Sequence, residues 1–290
     1  PELATAARAA GAPRRPVRVL LIALLPALLS PTAGAACKDG WICVDEIRSG
    51  HLVELRARNL RDYPITYTLR VSGAAVEGSA GPNTVTRTLE PRQTDSVMRF
   101  GAPGAPAGGG FRIAYDWTVG DKEAVHDDDH LYALPYARGK RYRVLQGFGS
   151  RFSHTGLEAF AVDFDMPEGT PVHAARAGVV ARVEDSHTRG CWEDGCGRFA
   201  NYIVVLHSDG TTGEYYHLRH AGARVAVGAS VAQGQLIGYS GNTGHTTRPH
   251  LHFAVYRATD WGNTQSIPVR FLSADGIIDD PRRGARYEAF

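Results

Sequence analysis

Long apolar runs are scarce in this chain. Val19 to Leu29 is apolar apart from Pro26, but it is only eleven residues long, and a bilayer-spanning helix needs about 20. A stable membrane span is therefore not expected. Cysteine is also sparse. There are four in 290 residues, none in C-x-x-C spacing, which argues against a zinc knuckle. Residues 131–290 carry no long, clean helical period, and the His-Glu-x-x-His of helical zinc sites does not occur. Excess charge is missing too. Residues 1–36 carry Arg8, Arg14, Arg15 and Arg18 against Glu2, a net of +3, whereas the whole chain is +2, leaving about −1 for the rest. The basic balance belongs to that segment alone and gives no reason to expect a nucleic-acid partner.

What is present begins with a leader-like segment. Arg14, Arg15 and Arg18 precede the apolar run, and Ala33-Gly34-Ala35-Ala36 follows it. Basic, apolar and small-residue regions in that order read as a secretory leader over residues 1–36, hence an exported, periplasmic or extracellular protein. Arg14-Arg15 hints at a twin-arginine signal, although proline flanks the pair on both sides. Cys37 offers a lipid-attachment site, against which the small residue three positions earlier weighs. In an exported chain the close pairs Cys37/Cys43 and Cys191/Cys196 read as two short-loop disulfides. Each would contribute on the order of 2–3 kcal/mol in the chain-entropy picture.

The expected fold class is all-β. Residues 37–130 show short alternating runs, such as Leu52 to Ala57, Ile65 to Val71 and Phe111 to Trp117. Turn residues punctuate them at Gly81-Pro82-Asn83 and in the loop 101–110. This spacing predicts a β-sandwich-like accessory domain. Its one acidic run, Asp127-Asp128-Asp129-His130, reads as a solvated loop. Residues 131–290 predict a compact antiparallel β domain, with strands at Val172–Val183, Tyr202–His207, Glu214–Leu218, Gln235–Tyr239 and His250–Tyr256.

The chemistry concentrates in that second domain. His250-Leu251-His252 opens an alternating run, and residues two apart on a strand share a face. Neutral imidazole is the commonest protein ligand for zinc. A polar strand face with two solvated histidines is the competing reading. His154 lies beside an aromatic and a glycine, and His217 follows two tyrosines. Asp163 sits in Phe160-Ala161-Val162-Asp163-Phe164, where a carboxylate is costly to bury without a positive partner.

Together these motifs resemble the lysostaphin-type zinc endopeptidases, which cut peptide cross-bridges in bacterial peptidoglycan. The resemblance spans residues 135–270. It rests on Asp163 with Pro167 to Ala175 and Gly178-Val179-Val180, on Tyr216-His217-Leu218, and on Gly234 to Gly244 running into Pro249 to Phe253. It implies a domain that binds one zinc ion through His154, Asp163 and His252, with His217 and His250 as non-ligand catalytic histidines. Two imidazoles and a carboxylate leave a fourth tetrahedral position for water, whose pKa the metal lowers while polarising the scissile carbonyl. With no His-Glu-x-x-His glutamate, the base is expected to be an unligated imidazole. The implied substrate is peptidoglycan peptide; oligomeric state is not legible.

The pattern departs from the family at one point. The family's first His precedes its Asp by four residues, and that place after His154 is Glu158. Asp163 keeps the family distance to Gly169-Thr170-Pro171, which implies an insertion between the two ligands and leaves Glu158 as the alternative ligand. His173, His187, His207, His220 and His245 match no partner pattern and read as surface or hydrogen-bonded residues. One of Tyr215 and Tyr216 is expected in the core. Asn242 and Arg248 flank the approach to His250.

Two other functions compete. A catalytically inactive relative, acting as an activator or scaffold of wall hydrolases, would be expected to lose ligands. The turn Val227 to Gly238 resembles the hairpins of lipoyl and biotinyl carriers, but Ser240-Gly241-Asn242 supplies no lysine for a swinging arm. No repeat or aromatic-rich module signals wall targeting, which favours a periplasmic setting.

Overall fold

Alternation in the N-terminal half has the expected outcome. Val53, Leu55 and Ala57 are buried, while Leu52 before them and Arg56 between them face solvent and Glu54 is half-buried. The computed structural model describes residues 36–73, 76, 82–101 and 110–290. Nearly all of the expected leader and most of the loop 101–110 lie outside the described residues. Among those described there is no α-helix, only two short 3-10 turns, Gly156–Glu158 and Cys196–Phe199. The all-β expectation holds, and no helix among the described residues is long and apolar enough to cross a membrane.

Seven strands come first: β1 (Ala36–Lys38), β2 (Ile42–Ser49), β3 (Leu52–Asn59), β4 (Ile65–Ser72), β5 (Thr84–Leu89), β6 (Thr94–Gly101) and β7 (Arg112–Val119). They form two antiparallel sheets, ordered β1-β2-β3-β6 and β5-β4-β7. Side chains from both sheets, among them Ile42, Leu55, Tyr67 and Leu69, make one buried cluster. Trp41 stacks on Trp117 with ring centroids 4.5 Å apart. The Cys37–Cys43 disulfide ties β1 to β2.

The remaining strands are β8 (Leu131–Ala133), β9 (Arg141–Gln146), β10 (Val162–Phe164), β11 (Pro171–His173), β12 (Gly178–Glu184), β13 (Gly190–Cys191), β14 (Tyr202–Leu206), β15 (Thr212–Tyr216), β16 (Ser230–Val231), β17 (Leu236–Tyr239), β18 (Gly244–His245), β19 (Leu251–Ala258), β20 (Thr264–Ile267), β21 (Arg270–Ser273), β22 (Gly276–Ile278) and β23 (Arg286–Glu288). An antiparallel sheet runs β16-β12-β14-β15-β19-β10-β9-β23, with β20 also paired to β19. Its second core gathers Phe164, Tyr215, Phe253 and Phe271.

Two strand expectations need correction. Val172–Val183 is not one strand but β11 and β12, in different sheets. Between them Arg176 is buried, donating to Asp209 Oδ2 at 2.6 Å and Tyr132 Oη at 3.0 Å. A buried guanidinium holds its place only where such partners meet it, and the chain bends there to supply them. Glu214–Leu218 ends early, at Tyr216, because His217 takes φ +65°, the left-handed region that no regular strand admits.

The two halves touch. Ala181 of β12 is part of the N-terminal cluster, and Leu206 packs against it. Trp261 N donates to Thr68 Oγ1 at 2.8 Å, Asp121 N donates to the Gly210 carbonyl at 3.0 Å, and the Arg182 guanidinium lies 5.5 Å from the Trp117 ring centre.

Near this seam lies a buried ring, His207, that matches no pattern in the amino-acid order. His207 is 3% exposed, its Nδ1 pairs with Thr211 Oγ1 at 3.0 Å, and its Nε2 has no hydrogen-bond partner among the described residues. Burial first, then the Arg176 charge, pushes its pKa down to about 3, against Asp209, with His130 and His126 adding further repulsion. The folded protein therefore keeps His207 neutral where the unfolded chain, near 6.5, takes up a proton. Stability is full above pH 6.5 and falls as pH drops towards 3, by about 2 kcal/mol at pH 5 for this group. Urea unfolding of zinc-free protein at pH 7 and pH 5 checks this. The loss should be about 2 kcal/mol smaller in His207→Gln, and equal losses in both proteins would refute it.

Candidate metal centre

Asp163 is the hub. Strand β10 pairs with β19 so that Asp163 lies directly opposite His252. The Asp163 carboxylate is almost fully buried, and Gln146 Nε2 donates to its Oδ2 at 2.6 Å. That leaves Oδ1 facing His252 Nδ1 at 3.0 Å, His154 Nε2 at 3.2 Å and His250 Nε2 at 3.8 Å. Ligand atoms of His154, Asp163 and His252 all lie within 4.8 Å of one another.

Backbone carbonyls fix three of the four rings. The Nδ1 of His154 pairs with the Gly147 carbonyl at 3.2 Å, that of His217 with Thr243 at 2.8 Å and that of His250 with Arg248 at 2.8 Å. A carbonyl only accepts, so each Nδ1 carries the hydrogen and each neutral ring keeps a lone pair on Nε2. His252 is reversed, with Nε2 turned to Tyr256 Oη at 3.2 Å and Nδ1 to Asp163.

This arrangement fits a metal cation. His154 Nε2 is buried and has no hydrogen-bond partner among the described residues, yet its lone pair lies 3.2 Å from an Asp163 oxygen. Two acceptors facing each other in a buried site repel unless a cation or proton joins them. The N₂O donor set is one that zinc takes, with a coordination position to spare.

Charges in the centre are strongly perturbed. Burial alone would raise Asp163, but the His154 and His252 rings facing it, in their protonated forms, hold it well below the usual carboxylate range. Burial alone would lower His252, but the facing Asp163 and Glu158 carboxylates push it up to about 10. Burial, helped by the neighbouring His250 and His252 charges, takes His217 down to about 3, and burial also lowers His250.

The centre opens on a cleft of about 590 Å³. Phe152 and Trp192, both exposed, line it and stack with centroids 5.3 Å apart. Trp192 rides on the loop closed by the Cys191–Cys196 disulfide and meets the His245 ring at 4.2 Å. That bond also consumes the two thiols of the Cys191/Glu193/Cys196 cluster. His245, read as bland from sequence, is therefore a cleft residue.

The other expected residues fall into place around the site. Tyr215 is core, its hydroxyl accepting from Ala175 N at 2.7 Å, while Tyr216 lines the cleft and donates to Glu214 at 2.7 Å. Arg248 pairs with Asp165, and Asn242 accepts from Thr246. Asp127 and Asp129 shape a turn in which Asp129 N donates to Asp127 Oδ1. Glu158 approaches the far edge of the His252 ring, its Oε2 3.6 Å from Nε2 and 2.5 Å from Tyr256 Oη. The sequence reading missed Gln146 and Tyr256. For Tyr256 a signal existed, since positions 250, 252, 254 and 256 share one strand face.

Atoms of His154, Asp163 and His252 that could hold one metal ion thus converge beside the His217 and His250 rings on an antiparallel sheet. Residues 158–266 match the model of Peptidase family M23, and this part of the chain is an M23 peptidase domain. The match holds Asp163, His217, His250 and His252 and begins four residues after His154. Over 122 residues the chain is 34% identical to peptidoglycan DD-endopeptidase ShyA of Vibrio cholerae, covering 41% of this chain and 26% of that protein. Over 156 residues it is 36% identical to lysostaphin of Staphylococcus simulans, covering 53% and 28%. Glycyl-glycine endopeptidase ALE-1 of Staphylococcus capitis is 36% identical over 137 residues, covering 47% and 35%. The chain thus spans about a quarter to a third of the length of these relatives. The solved catalytic domain of Staphylococcus simulans lysostaphin aligns at 30% identity with a TM-score of 0.31, covering 44% of this chain and 87% of that one.

Proposed function

We propose that this protein is an exported zinc endopeptidase that hydrolyses peptide bonds in peptidoglycan cross-links. One observation carries the reading: His154, Asp163 and His252 converge on a shared point at the floor of a cleft that also holds His217 and His250. Among the relatives, ShyA and ALE-1 carry endopeptidase names that specify a peptide bond, and lysostaphin is described as an antimicrobial peptidase.

His154, Asp163 and His252 would hold the zinc. When bound, zinc supplies Lewis-acid polarisation of a carbonyl and lowers the pKa of water. The protein's own part is proton handling. His217 and His250 are held neutral by burial, and each presents an Nε2 lone pair. One of them takes a proton from the attacking water as oxygen adds to the scissile carbonyl carbon. The resulting imidazolium donates a hydrogen bond to the developing oxyanion, and as the C–N bond breaks its proton passes to the leaving amine. Gln146 holds Asp163 in orientation, and the Gly147, Thr243 and Arg248 carbonyls fix the ring tautomers.

Residues 37–130 would serve as an accessory unit braced against the peptidase domain. An inactive scaffold has less support, because all five side chains are present at the centre. Incubation with purified peptidoglycan tests the reading. Soluble peptide fragments should appear, stop with a chelator and return with added zinc, and their masses name the bond cut. Release that is indifferent to chelation would discard the zinc reading.

A further inference from the structure

Glu158 stands where the family's Asp would be expected, but its carboxylate faces elsewhere. We propose that Glu158 and Tyr256 form an outer relay that holds His252 in the tautomer and orientation needed to bind the metal, and that the segment between His154 and Asp163 exists in this chain to deliver it. The proposal rests on the zinc reading above.

The geometry dictates the direction of each bond. A carboxylate only accepts, so Tyr256 Oη donates to Glu158 Oε2 at 2.5 Å. Its lone pairs then face His252 Nε2 at 3.2 Å, which must carry the hydrogen. Glu158 Oε2 lies 3.6 Å from the same nitrogen and adds charge to the pairing. A ring that spends its Nε2–H this way keeps its lone pair on Nδ1, the atom 3.0 Å from Asp163 Oδ1. His252 is the one ring of the four turned this way round, and no backbone carbonyl fixes it among the described residues. The relay takes that role. Ligating histidines generally have such an outer partner, and a carboxylate there raises ligand basicity. With Asp163 in the inner set and Glu158 two bonds further out, two negative charges face a dication.

The segment is built to hold this position. Tyr256 is 2% exposed and lies four residues along β19 from His252, on the same face. The 3-10 turn Gly156–Glu158 is pinned to β20, with Phe160 N donating to Ser266 Oγ at 2.9 Å and Gln265 Nε2 to the Gly156 carbonyl at 3.2 Å. Gly149 N donates to the Ala159 carbonyl at 2.7 Å, closing the segment's base. Glu158 is thus a positioning residue.

Zinc affinity of the full chain, measured by competition with a chromophoric chelator, is the test. Glu158→Ala and Tyr256→Phe should each weaken zinc binding by about 10–100-fold, and Glu158→Gln, which keeps an acceptor but loses charge, should fall between them and the wild type. The double variant should cost little more than either single one, because the two residues act as a unit. The visible spectrum of the cobalt-loaded protein should shift in Glu158→Gln while retaining its intensity. Thermal unfolding in chelator serves as the folding control. Affinity in Glu158→Ala within twofold of wild type overturns the relay. So does complete loss matching His154→Ala, which would make Glu158 an inner ligand. A wild-type chain that binds no zinc would instead sink the functional reading itself.

Discussion

Replacing His217 by Ala is expected to lower kcat on peptidoglycan by about 10²–10⁴-fold, the usual worth of a general acid–base group, while zinc content stays at the wild-type level. The ring lies outside the ligand cluster, 4.5 Å from the His250 ring and 5.9 Å from that of His252 between centroids. Its Nδ1 is committed to Thr243, so only Nε2 is available for proton transfer. His217 already sits at φ +65° and bears the left-handed backbone cost that Ala would share, so the substitution adds little strain of its own. His217→Asn, which tolerates that conformation, separates strain from chemistry and should be equally inactive. Zinc content is read by metal analysis and kcat from fragment release. If metal and activity decline in step, His217 is a ligand or a structural prop and the assignment fails.

Asp163→Asn should abolish both zinc binding and hydrolysis. Its carboxylate is the only anion that three imidazole nitrogens approach within 3.8 Å among the described residues. An amide removes the charge, and it sets an NH₂ against either the Gln146 donor or the histidines. Affinity should fall by more than about 100-fold, beyond what loss of an outer partner costs. Added zinc stabilises wild type by mass action, so its melting temperature should rise with zinc while that of Asp163→Asn stays flat. A variant that still melts higher with zinc would remove Asp163 from the centre.

The candidate centre was legible partly in local patterns and otherwise through the family resemblance, which alone brought His154 and His217 into it. His250 and His252 share a face by strand alternation alone, and a lone carboxylate at 163 among Ala, Val and Phe announces a buried charge in need of a partner. What stayed hidden depends on chain crossings. That Asp163 sits opposite His252 is a matter of register between strands 89 residues apart. The break in Val172–Val183 follows from Arg176 finding Asp209, and the early end of β15 from a backbone turn at His217 that aims its ring inward. No local pattern encodes either. Glu158 shows the reverse case. Counting from His154 picked it out, and only the position of Tyr256 explains why it points away from the inner ligands.

Gly147, whose carbonyl orients His154, leaves no room for a side chain: a Cβ there would lie 1.6 Å from the Pro281 carbonyl oxygen. The stretch around Pro281 is therefore clamped across the peptide that aims the first ligand, and β23 just beyond it is laced to β9. Any movement of that stretch therefore reaches His154 directly through the backbone, with no side chain in between to absorb it.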